Sequence, residues 1–302
     1  MPDGTLRGPD LVLACSAGRG TPGEGIARPA EPRDPAPSRA GAAEPGAAEP
    51  GAAEPGAAAP DGAGPGRRRV TSFVRQRTRF TEGQAHAWER LWPRYGLDVA
   101  DLVGGAVAYD PPAWFGRTAP LVLEIGPGTG GSTVEQALAA PGTDHLAVEV
   151  FEPGLAQLLM RIEAAGVPNL RLLRGDAVEL LRERVPPDSL AGIRIYFPDP
   201  WPKRRHHKRR LVQPDFVALA ASRLAPGGVL HLATDWEHYA VQMQAACSGE
   251  PLLENAARTP DGWTPRPPER PSTKFEQRAR VEGRVVRDLV YHRVGGKHTF
   301  TY

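Results

Sequence analysis

The feature that most constrains the fold of this chain is a short hydrophobic segment that runs directly into a glycine-rich turn. Residues 121–125 (LVLEI) are almost all apolar, and residues 126–131 (GPGTGG) contain four glycines. A continuous apolar run of this length is typical of a strand buried on both faces, and Ser132–Ala140 is predicted to continue as a helix. Strand, glycine turn and helix in this order predict the nucleotide-binding form of an open parallel sheet.

Each of the strands predicted downstream ends in, or next to, an acidic residue. The predicted strands are 145–150, 170–174, 193–197 and 229–233, with helices predicted near 154–165, 177–184 and 214–224. The acids are Glu149, Asp176, Asp199 and Asp235. For any single acid, a role in a turn or as a helix cap is the simpler explanation. The carboxyl ends of parallel strands share one edge of the sheet, however, and open α/β sheets bind ligands there. Four acids in this register therefore favour a binding site.

The glycine turn also indicates which ligand this edge would bind. The turn reads G-x-G-x-G and is preceded by Glu124, whereas a dinucleotide turn binds a pyrophosphate that a neighbouring carboxylate would repel. S-adenosylmethionine has no phosphate, and carboxylates favour its sulfonium and ammonium groups. Glu149 lies 23 residues beyond Gly126, a spacing that suits hydrogen bonds from a ribose diol. These residues favour S-adenosylmethionine, with a nicotinamide dinucleotide as the alternative.

A basic segment follows the predicted strand 193–197. Six of the eight residues 203–210 (KRRHHKRR) are Lys or Arg, and they follow a proline-rich loop that contains Asp199 and Trp201. A run of charge is often only a solvated face. At the rim of a ligand-binding edge, basic side chains would instead bind phosphates while the acid and the aromatic ring handle a base. The residues thus predict a methyltransferase that acts on nucleic acid. The adjacent His206 and His207 suit metal chelation poorly, so no metal is predicted.

Composition divides the chain near residue 66. Residues 1–66 contain 13 Gly, 12 Pro and 16 Ala and no aromatic residue, and an AEPGA repeat runs through residues 43–58. Ordering such a segment costs about 1–2 kcal/mol per residue in backbone entropy, with little apolar surface to offset it. We therefore predict a disordered tail over 1–66 and one α/β domain over 67–302. The domain would begin with an Arg-rich arm (67–80) and a helix over 81–95 capped by Thr81.

Charge and cysteine content limit which partners and which cellular compartment are expected. The tail carries 5 Arg against 9 acids, and the remaining chain carries 32 Lys and Arg against 26 acids, so an anionic partner is compatible with the domain. Cys15 and Cys247 cannot build a disulfide framework or a metal cluster, which predicts a reducing cytoplasm. No segment approaches the ~20 apolar residues of a membrane span, so no membrane association is expected. No obligate protein partner is implied, and a monomer and a homodimer both stay open.

Five segments resemble the bacterial tRNA (guanine-N7)-methyltransferase family, the single-chain enzymes that modify guanosine 46 of the variable loop. The resemblance covers about residues 70–293. The matching segments are 71–75 (TSFVR), 123–126 (LEIG), 197–210 (FPDPWPKRRHHKRR), 233–239 (ATDWEHY) and 272–276 (STKFE). The block 197–210 is highly diagnostic, whereas the glycine turn is common to many methyltransferases.

The resemblance implies a Rossmann-like class I methyltransferase, with a mostly parallel twisted sheet and helices on both faces. It implies transfer of a methyl group from S-adenosylmethionine to N7 of guanine in tRNA, without a metal. The cofactor contacts that it implies are Glu124, Gly126, Gly128, Glu149, Asp176, Ala177 and Asp199, and Asp199 would also be the active-site acid. The implied substrate contacts are Lys203, Asp235, Thr273, Lys274, Phe275 and Glu276. The implied RNA contacts are Arg205, His206, His207, Lys208, Arg209 and Arg210.

Two other functions stay open at this point. One is a methyltransferase for a different RNA or for a small molecule, although the basic segment disfavours a small substrate. The other is an RNA-binding protein that keeps the scaffold but has lost turnover, and the presence of all four predicted cofactor-binding acids disfavours it.

Overall fold

The structure is a computed structural model that describes residues 79–295. The predicted tail over 1–66, residues 67–78 of the predicted arm and the matching segment 71–75 lie outside the described residues. The boundary near residue 66 therefore stays a prediction.

The described residues alternate between helices and strands. The helices are α1 (Glu82–Tyr95), α2 (Val99–Val103), α3 (Pro111–Phe115), α4 (Gly131–Ala139), α5 (Glu152–Ala165), α6 (Ala177–Glu183), α7 (Pro214–Arg223), α8 (Glu237–Ser248) and α9 (Lys274–Val281), with a 3-10 helix over Arg204–Arg209. The strands are β1 (Gly96–Asp98), β2 (Leu121–Ile125), β3 (Asp144–Glu149), β4 (Leu170–Arg174), β5 (Leu190–Tyr196), β6 (Leu224–Thr234), β7 (Leu253–Asn255) and β8 (Arg287–Arg293).

Within residues 79–295, eight strands form one sheet in the order β1-β4-β3-β2-β5-β6-β8-β7. The first six are parallel to one another, and β8 runs antiparallel to both β6 and β7. The chain moves outwards from β2 through β3 and β4, and then returns to place β5 on the other side of β2. The gap between β2 and β5 is therefore the topological switch point, where open α/β sheets form their ligand crevice.

Helices cover both faces of the sheet, as the alternation of side chains along each strand requires. In β3, Leu146 and Val148 belong to one hydrophobic cluster together with residues of α2, α6, α7 and α8. Ala147, between them, belongs to a second cluster with residues of α1, α4 and α5. Each leucine or isoleucine buried in these clusters contributes about 1.5–3 kcal/mol. The predicted Rossmann-like fold, mostly parallel with helices on both faces, is confirmed.

Helix α1 begins with the predicted cap. The Gln84 N–H donates to the Thr81 side chain (3.3 Å), and the Thr81 N–H donates to the Gln84 side chain (3.0 Å), which completes a capping box. Pro93 lies inside the helix, and the helix ends where the Gly96 N–H bonds to the Trp92 carbonyl.

Polar side chains tie together the edge at which the parallel strands begin. The Asn169 carboxamide donates to the carbonyls of Ala137 (2.9 Å), Ala140 (3.1 Å) and Thr143 (2.8 Å). Arg117 donates through Nη2 to the buried carboxylate of Asp144 (2.6 Å). At this edge, which we call the closed edge, these polar side chains form hydrogen bonds with other groups of the protein. Among the described residues, no helix has both the length and the hydrophobicity of a membrane span.

Candidate active site

A cleft of about 660 Å3 opens at the carboxyl ends of β2, β3, β4 and β5, at the switch point of the sheet. This volume lies within the range of small-molecule sites. Its walls come from the glycine turn after β2, the ends of β3 and β4, the loop after β5, and the start of α9. The predicted site residues that line it are Gly126, Gly128, Glu149, Asp176, Ala177, Asp199, Lys274 and Phe275.

The glycine turn leaves space that side chains would fill. Gly126 and Gly128 adopt φ values of 77° and 59°, a conformation that favours glycine over other residues. A Cβ atom added at either position would have no heavy atom within 4 Å. The two glycines therefore satisfy the backbone of the turn and keep an open cradle against which a ligand can lie.

The Glu149 carboxylate joins the end of β3 to this turn. Its Oε1 accepts hydrogen bonds from the N–H groups of Val150 (2.7 Å) and Phe151 (3.0 Å), and its Oε2 accepts one from Gly128 (3.3 Å). Burial raises the pKa of Glu149, the three N–H donors oppose that rise, and the nearby Asp199 adds to it. Glu149 thus holds the glycine turn in place while its carboxylate lines the cleft.

Asp176 fills both of the roles considered for it. It caps α6, with Oδ1 accepting from the N–H groups of Val178 (2.8 Å) and Glu179 (3.3 Å). It also lines the cleft beside Ala177, the first residue of α6. The cap fixes the carboxylate at the cleft wall, so the two roles support each other.

Asp199 is the least satisfied of the acids in the cleft. The residue is exposed, no group of residues 79–295 donates a hydrogen bond to its carboxylate, and partial desolvation in the cleft raises its pKa. Its loop is also strained: among the described residues, three that are not glycine have positive φ, and Phe197 (53°) and Trp201 (45°) are two of them. Such a conformation costs about 1–3 kcal/mol per residue and persists only where the surroundings impose it. Strain and an unpaired carboxylate in one cleft mark a functional position.

Glu124 lies behind the cleft wall. It is buried, with 6% of its surface exposed, and it does not line the cleft, although the next residue, Ile125, does. Its neighbour across the β2–β5 pairing is Arg194. Burial raises the pKa of Glu124 to about 7, and the charge of Arg194 opposes the rise. Contact between Glu124 and a cofactor stays a prediction.

The start of α9 brings two predicted substrate residues to the mouth of the cleft. The Thr273 side chain caps the helix by accepting from the Glu276 N–H (3.1 Å). Lys274 and Phe275 follow and line the cleft. The Phe275 ring, 48% exposed, lies 6.0 Å from the Phe197 ring in a stacked arrangement. An exposed aromatic face thus borders the Asp199 loop.

Glu276 is buried and does not line the cleft, so its contact with a substrate stays a prediction. Its Oε2 accepts from Arg270 (2.7 Å), and Arg270 also donates two hydrogen bonds to Asp288 (2.7 and 2.9 Å). Asp288 contacts His231 Nε2 (2.9 Å), and His231 Nδ1 contacts the hydroxyl of Tyr196 (3.0 Å), which lines the cleft. We call Arg270, Glu276, Asp288 and His231 the buried ion cluster. The Glu276 carboxylate belongs to this cluster and also accepts from Arg266 and Arg280 (3.1 Å each).

Two further predicted substrate residues lie outside the cleft lining. Asp235 follows β6 and pairs with Arg284 (2.8 Å). Lys203 is exposed and immediately precedes the 3-10 helix. Neither residue lines the cleft, so their contacts with a substrate stay predictions.

The basic segment forms the 3-10 helix, and most of its cations are exposed. Arg205, Lys208 and Arg209 are exposed, and the partly exposed His206 and His207 lie among them. The Arg209 guanidinium lies over the Trp201 ring at 5.0 Å. This surface adjoins the Asp199 loop and presents positive charge to solvent.

Arg210, the last residue of the basic segment, differs from the others in being buried. Only 2% of the residue is exposed, and its guanidinium donates to the Pro200 carbonyl (2.8 Å), to Gln242 Oε1 (2.7 Å) and to His238 Nδ1 (3.1 Å). The side chain is turned inwards in this structure, and its contact with RNA stays a prediction.

Sequence reasoning also missed the hydrophobic lining of the cleft. Phe151, Val178, Tyr196 and Leu211 lie among the predicted acids and glycines. Phe151 and Tyr196 stand at or just past strand ends, as the acids do, and that position was the available signal. Within residues 79–295, no group of three His, Cys, Asp or Glu side chains is arranged to hold a metal ion.

Residues 118–289 match a protein-family model described as "Putative methyltransferase". A tRNA (guanine-N(7)-)-methyltransferase of Bordetella parapertussis is 53% identical over 229 residues, which cover 76% of this chain and 87% of that protein. Enzymes of the same name from Methylococcus capsulatus (52% over 227 residues; 75% of this chain, 95% of that protein) and Streptomyces avermitilis (51% over 227 residues; 75% and 76%) are similar. The chain therefore belongs to the tRNA (guanine-N7)-methyltransferase family.

Proposed function

We propose that this protein transfers a methyl group from S-adenosylmethionine to N7 of a guanine in tRNA, and that the target is guanosine 46 of the variable loop. The observation that carries the proposal is Asp199, an exposed carboxylate in the lining of the cleft without a hydrogen-bond donor among residues 79–295, in a strained loop between the cleft and the basic 3-10 helix. The names of the similar proteins support the substrate class. Both the tRNA and the enzyme would be in the cytoplasm.

The cleft fits the proposed methyl donor. When bound, S-adenosylmethionine supplies an electrophilic methyl group on its sulfonium centre. The open cradle of Gly126 and Gly128 would hold it against the backbone, and Glu149, at the end of β3, would accept hydrogen bonds from its ribose hydroxyls. Asp176 and Ala177 would hold it at the end of β4. A carboxylate-lined cleft favours a cationic ligand over a pyrophosphate.

Asp199 would act through its charge and not as a base. N7 of guanine presents an in-plane lone pair, so no proton has to be removed before it attacks the methyl group. The purine gains positive charge as the bond forms, and a carboxylate fixed in the cleft lining stabilises that charge, the more so once the bound reactants displace water from the cleft. Because no donor among the described residues neutralises Asp199, its charge stays available for this step. Positioning of the two reactants supplies much of the remaining rate.

The RNA would approach over the 3-10 helix. Exposed basic side chains there would bind backbone phosphates and fix the register of the tRNA without reading its sequence. The exposed ring of Phe275 offers a stacking surface for the target base at the mouth of the cleft. Lys274, beside it, adds a cation that would bind a phosphate or a carbonyl group of the RNA.

The first test replaces Asp199 with asparagine, which removes the charge and keeps the shape. We expect kcat for transfer of labelled methyl groups to bulk tRNA to fall by at least about 100-fold, the size of effect typical for loss of transition-state charge stabilisation. The control is Asp215→Asn, an exposed acid in the first turn of α7, which should keep wild-type activity.

Nucleoside analysis of the labelled tRNA identifies the product. A wild-type protein that forms no N7-methylguanosine, or an Asp199→Asn variant that forms as much as wild type, would overturn the proposal. A transcript with adenosine at position 46 tests the site, since it should accept no methyl group. Tight tRNA binding without any transfer would instead indicate an RNA-binding protein on this scaffold, and transfer to another RNA in competition would reassign the substrate.

A further inference from the structure

Arg210 is a buried cation without a carboxylate partner. It follows a run of exposed basic residues, yet 2% of its surface is exposed, and burial lowers its pKa. Among residues 79–295, only uncharged groups accept hydrogen bonds from its guanidinium. Burying a guanidinium in this way is unfavourable unless well-placed acceptors compensate, so its position calls for a physical reason.

Helix α8 holds the guanidinium from one side. Nη1 donates to Gln242 Oε1 (2.7 Å) and to His238 Nδ1 (3.1 Å), and the Tyr239 ring lies 4.8 Å from the guanidinium carbon. Gln242 is itself oriented by a hydrogen bond from its Nε2 to the Val212 carbonyl (3.1 Å). These contacts with α8 fix the orientation of the Arg210 guanidinium.

On its other side, Arg210 holds the backbone next to Asp199. Its Nε donates to the Pro200 carbonyl at 2.8 Å. Pro198 and Pro200 have no N–H groups, so the residues on both sides of Asp199 cannot donate to the surrounding structure. The Pro200 carbonyl is therefore an important attachment point for a loop that carries two residues with positive φ.

We propose that Arg210 is a positioning residue for Asp199, and that it fixes the 197–202 loop through the Pro200 carbonyl so that the carboxylate faces the reacting base. The inference rests on the proposed function, in which Asp199 is the active-site acid. On this proposal, Arg210 affects the rate of the chemical step, whereas the exposed cations of the 3-10 helix affect the binding of RNA.

The test compares Arg210→Gln with Arg205→Gln, a matched change at an exposed arginine of the same segment. For Arg210→Gln we expect kcat to fall about 10- to 100-fold, because small misplacements of catalytic groups have effects of this size. The KM for tRNA and the affinity for S-adenosylmethionine should stay within about threefold of wild type, since the proposed phosphate contacts lie on the exposed 3-10 helix and most of the proposed cofactor contacts lie on the glycine turn, β3 and α6. Arg205→Gln should do the opposite, raising KM while kcat stays within about twofold, because it removes a phosphate contact.

A double variant separates positioning from a general loss of structure. If Arg210 acts through Asp199, then adding Arg210→Gln to Asp199→Asn should lower kcat by less than about twofold beyond Asp199→Asn alone. Should Arg210→Gln fail to fold, Arg210→Lys and Gln242→Ala test the same contact, and each should lower kcat without raising KM.

Three outcomes would overturn the inference. One is a raised KM with wild-type kcat in Arg210→Gln, which would mean that Arg210 contacts RNA. Another is wild-type kcat in both Arg210→Lys and Gln242→Ala. The third is a full, independent loss of activity in the double variant. A wild-type protein without methyl transfer would instead contradict the proposed function itself, so the two failures are distinct.

Discussion

Three carboxylates lie at the same edge of the sheet, one buried, one half-buried and one exposed, and their surroundings give them different properties. Glu149 is satisfied by three backbone N–H donors, Glu124 lies beside Arg194, and Asp199 has no donor among the described residues. Burial raises the pKa of each. A carboxylate that already has donors holds structure in place, whereas one without them is available to a developing cation.

The raised pKa of Asp199 predicts an acid limb in the activity profile. The ionised form is the one that stabilises the product charge, so kcat should fall as the pH drops through a pKa above the ordinary aspartate value of about 3.9. We expect this limb in wild type and expect it to disappear from the residual activity of Asp199→Asn. The measurement is kcat at saturating substrates between about pH 4.5 and 8. An unchanged limb in the variant would assign it to a different group.

Glu124 predicts a dependence of stability on pH. Its pKa in the folded protein is about 7, whereas in the unfolded chain it is about 4.3. Between these values the folded protein keeps a proton that the unfolded chain releases, so rising pH lowers the free energy of unfolding and the loss is complete above about pH 7. Glu124→Gln removes this ionisation. We expect it to be more stable than wild type at pH 8, by at most about 4 kcal/mol.

The measurement is thermal or urea unfolding of both proteins at about pH 5.5 and pH 8 at one ionic strength. The difference between them should be small at the lower pH, where wild-type Glu124 is protonated. A Glu124→Gln variant that is equally destabilised at both values would show that the ionised carboxylate supports the fold through Arg194. The affinity of the variant for S-adenosylmethionine tests separately whether Glu124 serves the cofactor.

At the scale of elements, the buried ion cluster joins α9 to the sheet. Arg270 bonds to Glu276 on α9 and to Asp288 on β8, and His231 on β6 connects Asp288 to Tyr196 at the end of β5. The Arg270 guanidinium also lies 5.9 Å from the rings of both Tyr196 and Phe197. The cluster thereby sets where Lys274 and Phe275 stand relative to the Asp199 loop.

This arrangement predicts a large loss of stability on removal of one charge. Arg270→Met leaves Glu276 and Asp288 buried without their shared partner, and such a change typically costs about 3–5 kcal/mol. The control is Arg278→Met on α9, whose pairing with Glu282 is solvent-exposed, and it should cost less than about 1 kcal/mol. Urea denaturation at neutral pH measures both. A loss below about 1 kcal/mol for Arg270→Met would contradict the assigned role of the cluster.

The sequence predicted the parallel part of the fold well and its antiparallel part not at all. The predicted bounds of β2 and β4 match the structure, because short apolar runs next to turn residues are strong local signals. Strands β1, β7 and β8 were not predicted. β1 and β7 have three residues each, and β8 (RDLVYHR) begins and ends with arginine and pairs with a distant strand. Their formation depends on long-range pairing that local patterns do not encode.

The site divides in a similar way. Glu149, Asp176 and Asp199 could be predicted to share one cleft because parallel strands align their carboxyl ends. The inward positions of Arg210 and Glu276 could not, because each depends on partners contributed by other elements, namely Gln242 and Arg270. A run of basic residues in the sequence does not reveal which of them is buried.

At the scale of the whole molecule, charge is divided along the chain. Residues 1–66 carry 5 Arg against 9 acids, whereas the rest carries 32 Lys and Arg against 26 acids. Every predicted cofactor, substrate and RNA residue lies from Glu124 onwards. An acidic segment tethered to an RNA-binding domain repels the same polyanion that the domain attracts, and salt screens that repulsion.

Removal of residues 1–66 should therefore leave catalysis intact. We expect kcat within about twofold of the full chain, and tRNA affinity equal or modestly higher at low salt, with the difference vanishing at about 0.3 M salt. Filter binding across a salt series and initial rates measure the two quantities. A large fall in kcat or in thermal stability on removal would show that the tail belongs to the working domain.

The two ends of the parallel strands differ. Their amino-terminal ends form the closed edge, where side chains bond to the protein itself, and their carboxyl ends form the open edge, which holds the cleft. Amino-acid substitutions at the two edges should therefore have different effects. Asn169, Arg117 and Asp144 tie the closed edge together, and none of them lines the cleft at the open edge. Substitutions around the closed edge can therefore alter how well the protein withstands heat with little effect on what it binds. Selection for thermal stability and selection for binding specificity can then act on opposite ends of the same strands. Engineering of a more stable enzyme would therefore begin at the closed edge.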